Sequence, residues 1–163
     1  MNKLCIIEII SIIVMILSSL FIIYYIYFNN IIECYNGYEI EHINYKNVSG
    51  LVLDNKYYSI EKDEIEQIIR NDDTNMYKYI VEMFDCDEFG FILLSNIMPI
   101  SYECEYKFRL AFGIIIGYNE TEQINHLINF FIDKNSIYWC VEPQNDSIEL
   151  CKNIELKFNY LII

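Results

Sequence analysis

The run from Ile9 to Phe28, IISIIVMILSSLFIIYYIYF, holds no charged residue. Its polarity comes only from Ser11, Ser18 and Ser19, and from Tyr24, Tyr25 and Tyr27 near its far end. As a helix rising about 1.5 Å per residue it would cover roughly 30 Å, the hydrocarbon thickness of a bilayer. A buried core helix would show one apolar stripe, whereas this run is apolar on every face. A cleaved signal peptide would have a shorter apolar stretch, about 7–15 residues, and a small-residue cleavage site. Here the run ends in Tyr, Phe and Asn. The sequence thus predicts an uncleaved transmembrane signal anchor over 1–28, with 9–28 as the span. Lys3 precedes the span, and Glu33, Glu39 and Glu41 follow it. By the positive-inside rule the N-terminus is cytoplasmic and the rest extracytoplasmic, in a single-pass membrane protein.

The anchor leaves a connector over 29–50 and a domain over 51–163. Lys3 and Glu8 fall in the anchor and cancel, so the formal charge of -13 belongs wholly to residues 29–163. Nucleic acid is excluded as a partner, because phosphate contacts need clustered Lys and Arg. The apolar content of 54% and the 25 Tyr and Phe exclude a disordered chain.

Within the domain, Ser59 reads as the N-cap of a helix over IEKDEIEQIIR, with acids in the first turn and Arg70 in the last. A partly helical segment follows from about Asn75 to Met83. Asp85 to Ile97 reads as a further helix, with Phe89, Ile92, Leu93 and Ile97 on one face and Pro99 ending it. The pattern then changes to β-branched and aromatic runs: Phe108–Tyr118, Leu127–Asp133 and Ile137–Val141, with Asp133 to Ser136 as a turn. Ile148–Leu150 and Leu156–Ile163 read as edge structure. The expected fold class is therefore α+β, with helices first and an antiparallel sheet after.

Six cysteines occur, at 5, 34, 86, 104, 140 and 151, with no C-x-x-C pair. That excludes a zinc knuckle or a thioredoxin-type motif. With the domain outside the cell, some would form disulfides and an odd one would stay free. Cys86 sits at a helix start, where the dipole and unpaired N–H groups favour a thiolate. His126 follows it by 40 residues, and Glu142 follows His126 by 16. A His on a strand can take the thiol proton, and a carboxylate one hairpin further on can fix the imidazole. His42 has no reactive neighbour in sequence. Packing roles for all three residues remain the alternative on spacing alone.

The segments FDCDEF, AFGIIIGY, NHLINFFID and IYWCVEPQ together resemble a papain-like cysteine protease domain. They are similar to the C-terminal domain of fungal chimeric agglutinins and to phage and bacterial relatives with a C-D-D-F-A, G-H-A-x-N, x-E-P-Q pattern. The resemblance covers about Asn75 to Ile148. It implies a catalytic triad of Cys86, His126 and Glu142, acting on a peptide or protein through a thioester acyl-enzyme. The expected function is a membrane-anchored cysteine peptidase. Acyl transfer, as in the transglutaminase-like superfamily, and an inactive anchored binding module of the same fold stay open beside it. Gly90 replaces a family Ala, Asn125 a Gly and Leu127 a small residue. The family also implies calcium. Asp85, Asp87, Glu88, Asp133 and Asp146 lie near the motifs, but no D-x-D-x-D-G loop is present, so no cofactor or metal is expected from the residues themselves. The Cys86 N–H is the candidate oxyanion donor. Gln144 and Asn129 are candidate orienting groups, and Gln67 reads as helix surface. The matches at Asn47, Asn119 and Asn145 to the glycosylation pattern are at chance level in an Asn-rich chain.

Overall fold

The computed structural model describes residues 14–22, 34–41, 43 and 48–163. The chain divides into two compact units, Met1–Glu33 and Cys34–Ile163. In the first, 14–22 form a helix, α1, with exposed side chains. No helix among the described residues is long and apolar enough to cross a membrane. The expected span at 9–28 and the single-pass membrane placement are therefore corrected. Residues 9–13 and 23–28, Cys5 and His42 lie outside the described residues.

The second unit is dominated by sheet. Its strands are β1 (Tyr38–Glu41), β2 (Ser49–Leu51), β3 (Lys56–Ser59), β4 (Phe112–Asn119), β5 (Ile124–Ile132), β6 (Tyr138–Glu142), β7 (Ser147–Leu150) and β8 (Lys157–Ile162). Two α-helices accompany them, α2 (Lys62–Arg70) and α3 (Cys86–Glu103). One sheet has the order β2-β8-β4-β5-β6-β7, and β1 pairs with β3 separately. The expectation of an α+β papain-like domain, helices first and an antiparallel sheet after, is thus corrected. Strands β1 to β3 precede both α-helices, and β2 pairs with β8 in parallel. The reason is visible in residues 38–59. Tyr38 and Ile40 have strand propensity and pair in register with β3, Ile40 opposite Tyr57. Strand β8 is no edge either, since it lies between β2 and β4.

The sheet buries both faces, which explains the near-continuous apolar runs FGIII and LINFFI. Alternate residues go to opposite sides. Phe112, Phe131 and Val141 meet Ile65, Ile69, Leu93 and Ile97 of α2 and α3. Ile115, Ile128, Phe130 and Cys140 fill the other face with Tyr57 and Leu161. Disulfides join Cys34 to Cys104 and Cys140 to Cys151.

Helix boundaries differ from expectation for local reasons. Glu61, not Ser59, caps α2, in a reciprocal capping box with Glu64. Ser59 is instead the last residue of β3. The segment after α2 is only a 3-10 turn, Thr74–Met76. Pro99 lies inside α3 and does not end it. A helical proline orphans the carbonyl four residues earlier. Here that is Ser95, on an exposed turn where water can replace the lost partner.

Candidate thiol site

Helix α3 begins at Cys86 because Asp85 is its N-cap. The Asp85 N–H donates to Glu88 Oε2 at 2.9 Å, and the Asp85 carboxylate accepts from the backbone of the same turn. The chain before the cap is a tight turn, with paired backbone bonds between Ile80 and Phe84 and a positive φ at Glu82. Phe84 sets this turn against the helix by packing edge-on to Phe89 at 4.9 Å. Cys86 is thereby half-buried at the helix start, and it is the free cysteine among the described residues.

Strand pairing brings the other two groups to the thiol. His126 lies opposite Gly117 across β4 and β5, at a point where the pairing of β4 with β8 shifts by one residue between Ile116 and Gly117. Such bulges re-aim nearby side chains. A side chain at Gly117 would meet Leu156 Cβ at 2.8 Å, so glycine leaves that face to Leu156 and the imidazole. Between β5 and β6, Asn129 pairs with Val141. Extending that register puts Glu142 opposite Ile128, diagonal to His126, a spacing that long side chains bridge. His126 Nε2 lies 2.6 Å from Glu142 Oε2. The Gln144 N–H donates to Glu142 Oε1 at 3.4 Å, so it is the backbone of Gln144 that steadies the carboxylate.

The imidazole answers to two neighbours. The Glu142 carboxylate hydrogen-bonds to it, and the Cys86 thiol and Glu142 together push His126 up to about 10, the thiol first and the carboxylate second, against the opposing effect of burial. Glu142 occupies Nε2. A proton leaving Cys86 thus has a ring nitrogen to receive it, and the resulting positive ring lies between two negative groups. His126 and Glu142 are about three-quarters buried, at 24% and 25% side-chain exposure, which protects the pair from full solvent screening.

The three residues singled out in the sequence therefore meet in space. The acids do not all join them. Asp133 is spent on its own turn, accepting from the N–H groups of Asn135 and Ile137 and from Trp139 Nε1. Asp146 accepts from Asn75 Nδ2 at 2.5 Å. Asp85 and Asp87 do flank the thiol, all three ligand atoms lying within 4.8 Å of one another. They share a hydrogen bond, which holds Asp85 below and Asp87 above the usual carboxylate range. Gln67 is exposed on α2.

Two departures in the sequence prove to be one packing exchange. A Cβ at Gly90 would lie 2.1 Å from Leu127 Cδ2. The bulk added beside His126 thus occupies the space that glycine leaves on α3. Gly90→Ala is expected to cost about 1–3 kcal/mol, the range for overpacking a well-filled core. Adding Leu127→Ala should then cost less than Leu127→Ala costs alone. Urea unfolding of the four proteins in the double-mutant cycle checks this, and additive losses would disprove the exchange.

On the far side of His126 and Glu142 from these packing groups is a cavity of about 200 Å³, lined also by Ile128, Glu149 and Leu156. A second, more open groove of about 470 Å³ lies away from the thiol, at Lys56, Phe108 and Arg109. Its charges are already matched, Lys56 by Glu41 at 2.6 Å and Arg109 by Asp54 at 3.0 Å.

No protein-family model matches the chain, and no curated protein does. Several solved chains match, and two of them illustrate the shared fold. One is titled "PSL1a-E64 complex", with a TM-score of 0.63 and 20% identity over 73% of this chain. The other is a Polyporus squamosus lectin bound to the epitope Neu5Aca2-6Galb1-4GlcNAc, with a TM-score of 0.61 and 21% identity over 71% of this chain. This chain spans 45% and 42% of their lengths. The assignment to a papain-like protease family is corrected on this finding: no family model supports it, and the structures found carry lectin and PSL1a titles, neither naming a protease. The expectation of a membrane-anchored cysteine peptidase, with its acyl-transfer and inactive-module alternatives, is withdrawn with it.

Proposed function

We propose that Cys86, His126 and Glu142 form a nucleophilic thiol centre. Cys86 is the group that bonds to an electrophilic carbon of a ligand, His126 takes the thiol proton, and Glu142 orients and stabilises the charged ring. The observation that carries this reading is the imidazole of His126 held by Glu142 Oε2 at 2.6 Å, with the Cys86 thiol as the largest influence that raises the same ring. Nucleophilic side chains are recognised by that constellation, in which a base reaches the nucleophile and a third group orients the base. The N-terminus of α3 adds its dipole at the sulfur. Support also comes from the neighbour titled as an E64 complex. E64 is an epoxide, a class that thiolates open. The sulfur would form a bond to an epoxide carbon, the carbon–oxygen bond would break, and the alkoxide would take the proton held on His126.

The test is incubation of the full-length protein with E64, without reductant, followed by peptide mapping. One adduct on the Cys86 peptide is expected, and none after Cys86→Ala. No adduct on Cys86 under conditions where E64 is intact would sink the reading. A second reading, glycan binding, draws on the lectin title and on the cavity beside His126. Titration with the Neu5Aca2-6Galb1-4GlcNAc trisaccharide separates the two, because the thiol centre predicts no saturable shift at Glu149.

A further inference from the structure

We infer that Asn129 is the positioning residue that holds the Cys86 helix over the His126 strand. The inference rests on the thiol-centre reading and extends it to a group that touches none of the three residues. Asn129 lies on β5, three residues after His126, and is fully buried. Its Nδ2 donates to the Gly90 carbonyl at 2.9 Å and to the Gly113 carbonyl at 3.3 Å. One amide group therefore ties together the helix that begins at Cys86, the strand that bears His126 and the neighbouring strand β4. Gly90 is four residues, one turn, after Cys86. Fixing that carbonyl fixes the first turn of α3, and the thiol moves with it.

The rest of the interface cannot set this placement with the same sharpness. Around Gly90 the contact is apolar, against Leu127. Apolar contacts are non-directional and tolerate sliding, whereas a hydrogen bond weakens steeply with misalignment. The other polar ties of α3 do not reach β5: Asn96 Nδ2 donates to Asp72 Oδ2 at 2.8 Å, and Ser101 Oγ accepts the Leu110 N–H at 2.8 Å. The amide also carries a structural penalty, because its Oδ1 is buried without a partner. An apolar side chain of the same size would avoid that penalty and would fill the same space. What it would not supply is the double grip on Gly90 and Gly113.

The experiment is the rate of Cys86 carbamidomethylation between pH 5 and 9.5 in the full-length protein and in Asn129→Leu. Rates are read by peptide mapping so that Cys5 is counted separately, and the fold is monitored by circular dichroism. The variant is expected to react at least threefold more slowly at pH 6, with less than a twofold change at pH 9.5, where the thiol ionises without help. Asn129→Ser, which keeps a polar group but withdraws the reach, should show the same pH-selective loss and serves if the leucine variant does not fold. An unchanged profile, or an equal loss at every pH, overturns the positioning role. A wild-type protein that shows no excess reactivity at pH 6 fails one step earlier and overturns the thiol centre itself.

Discussion

His126→Ala is expected to slow the alkylation of Cys86 by iodoacetamide about tenfold at pH 6. A free thiol with an ordinary value near 8.5 is only about 0.3% thiolate at that pH. Thiols paired with an imidazole gain, as a class, of order 100-fold in the reactive species at such a pH. Part of this is offset, because nucleophilicity falls with basicity at a Brønsted slope of about 0.4–0.5. Roughly tenfold remains. The sign must then reverse with pH. His126 is pushed up to about 10, so the ring stays charged through neutral pH and restrains the sulfur it stabilises. Above about pH 9 the alanine variant ionises unaided, and its freer thiolate should react as fast as the wild type or faster. Glu142→Gln should fall between the two, because the thiol is the larger cause of the raised ring and the carboxylate the second. Parallel pH–rate curves for wild type and His126→Ala would refute the relay.

Removing the Cys34–Cys104 disulfide by double alanine substitution should lower unfolding free energy by about 4 kcal/mol, against about 3 kcal/mol for Cys140–Cys151, on the chain-entropy model. The difference follows from the closed loops, which span 70 and 11 residues. The longer link also has a structural task. It fastens the start of the second unit to Cys104, the C-cap of α3. Equilibrium urea curves, compared at equal m-value, measure both losses. Equal losses, or a larger loss at Cys140–Cys151, would contradict the estimate.

How much of the fold and site could be read from the chain differs by element. The start of α3 was legible because the signal is local: an acidic cap, Glu three residues on, and an apolar stripe through Phe89 and Leu93. The order and spacing of Cys86, His126 and Glu142 were legible for a similar reason, since one hairpin of fixed register separates the last two. The partnership between Gly90 and Leu127 was not, because each looked like a separate departure until helix and strand were seen in contact. Nor was the central place of β8, whose partners β2 and β4 are distant in sequence. Disulfide pairing was open because five candidate cysteines allow many pairings. Asn129 stood out as a candidate orienting group, but its partners are backbone carbonyls that carry no sequence signal.

The apolar N-terminal run shows the opposite failure. Its composition satisfied every criterion for a span, yet no helix among the described residues is long and apolar enough to cross a membrane.

The central claim is that the thiol of Cys86 and the imidazole of His126 act as one unit. It is tested most directly by the alkylation rate of wild-type Cys86 relative to glutathione at pH 6, with both disulfides intact. The account predicts Cys86 to be faster, by about tenfold on the same thiolate-fraction estimate. A rate equal to or below that of glutathione would contradict it.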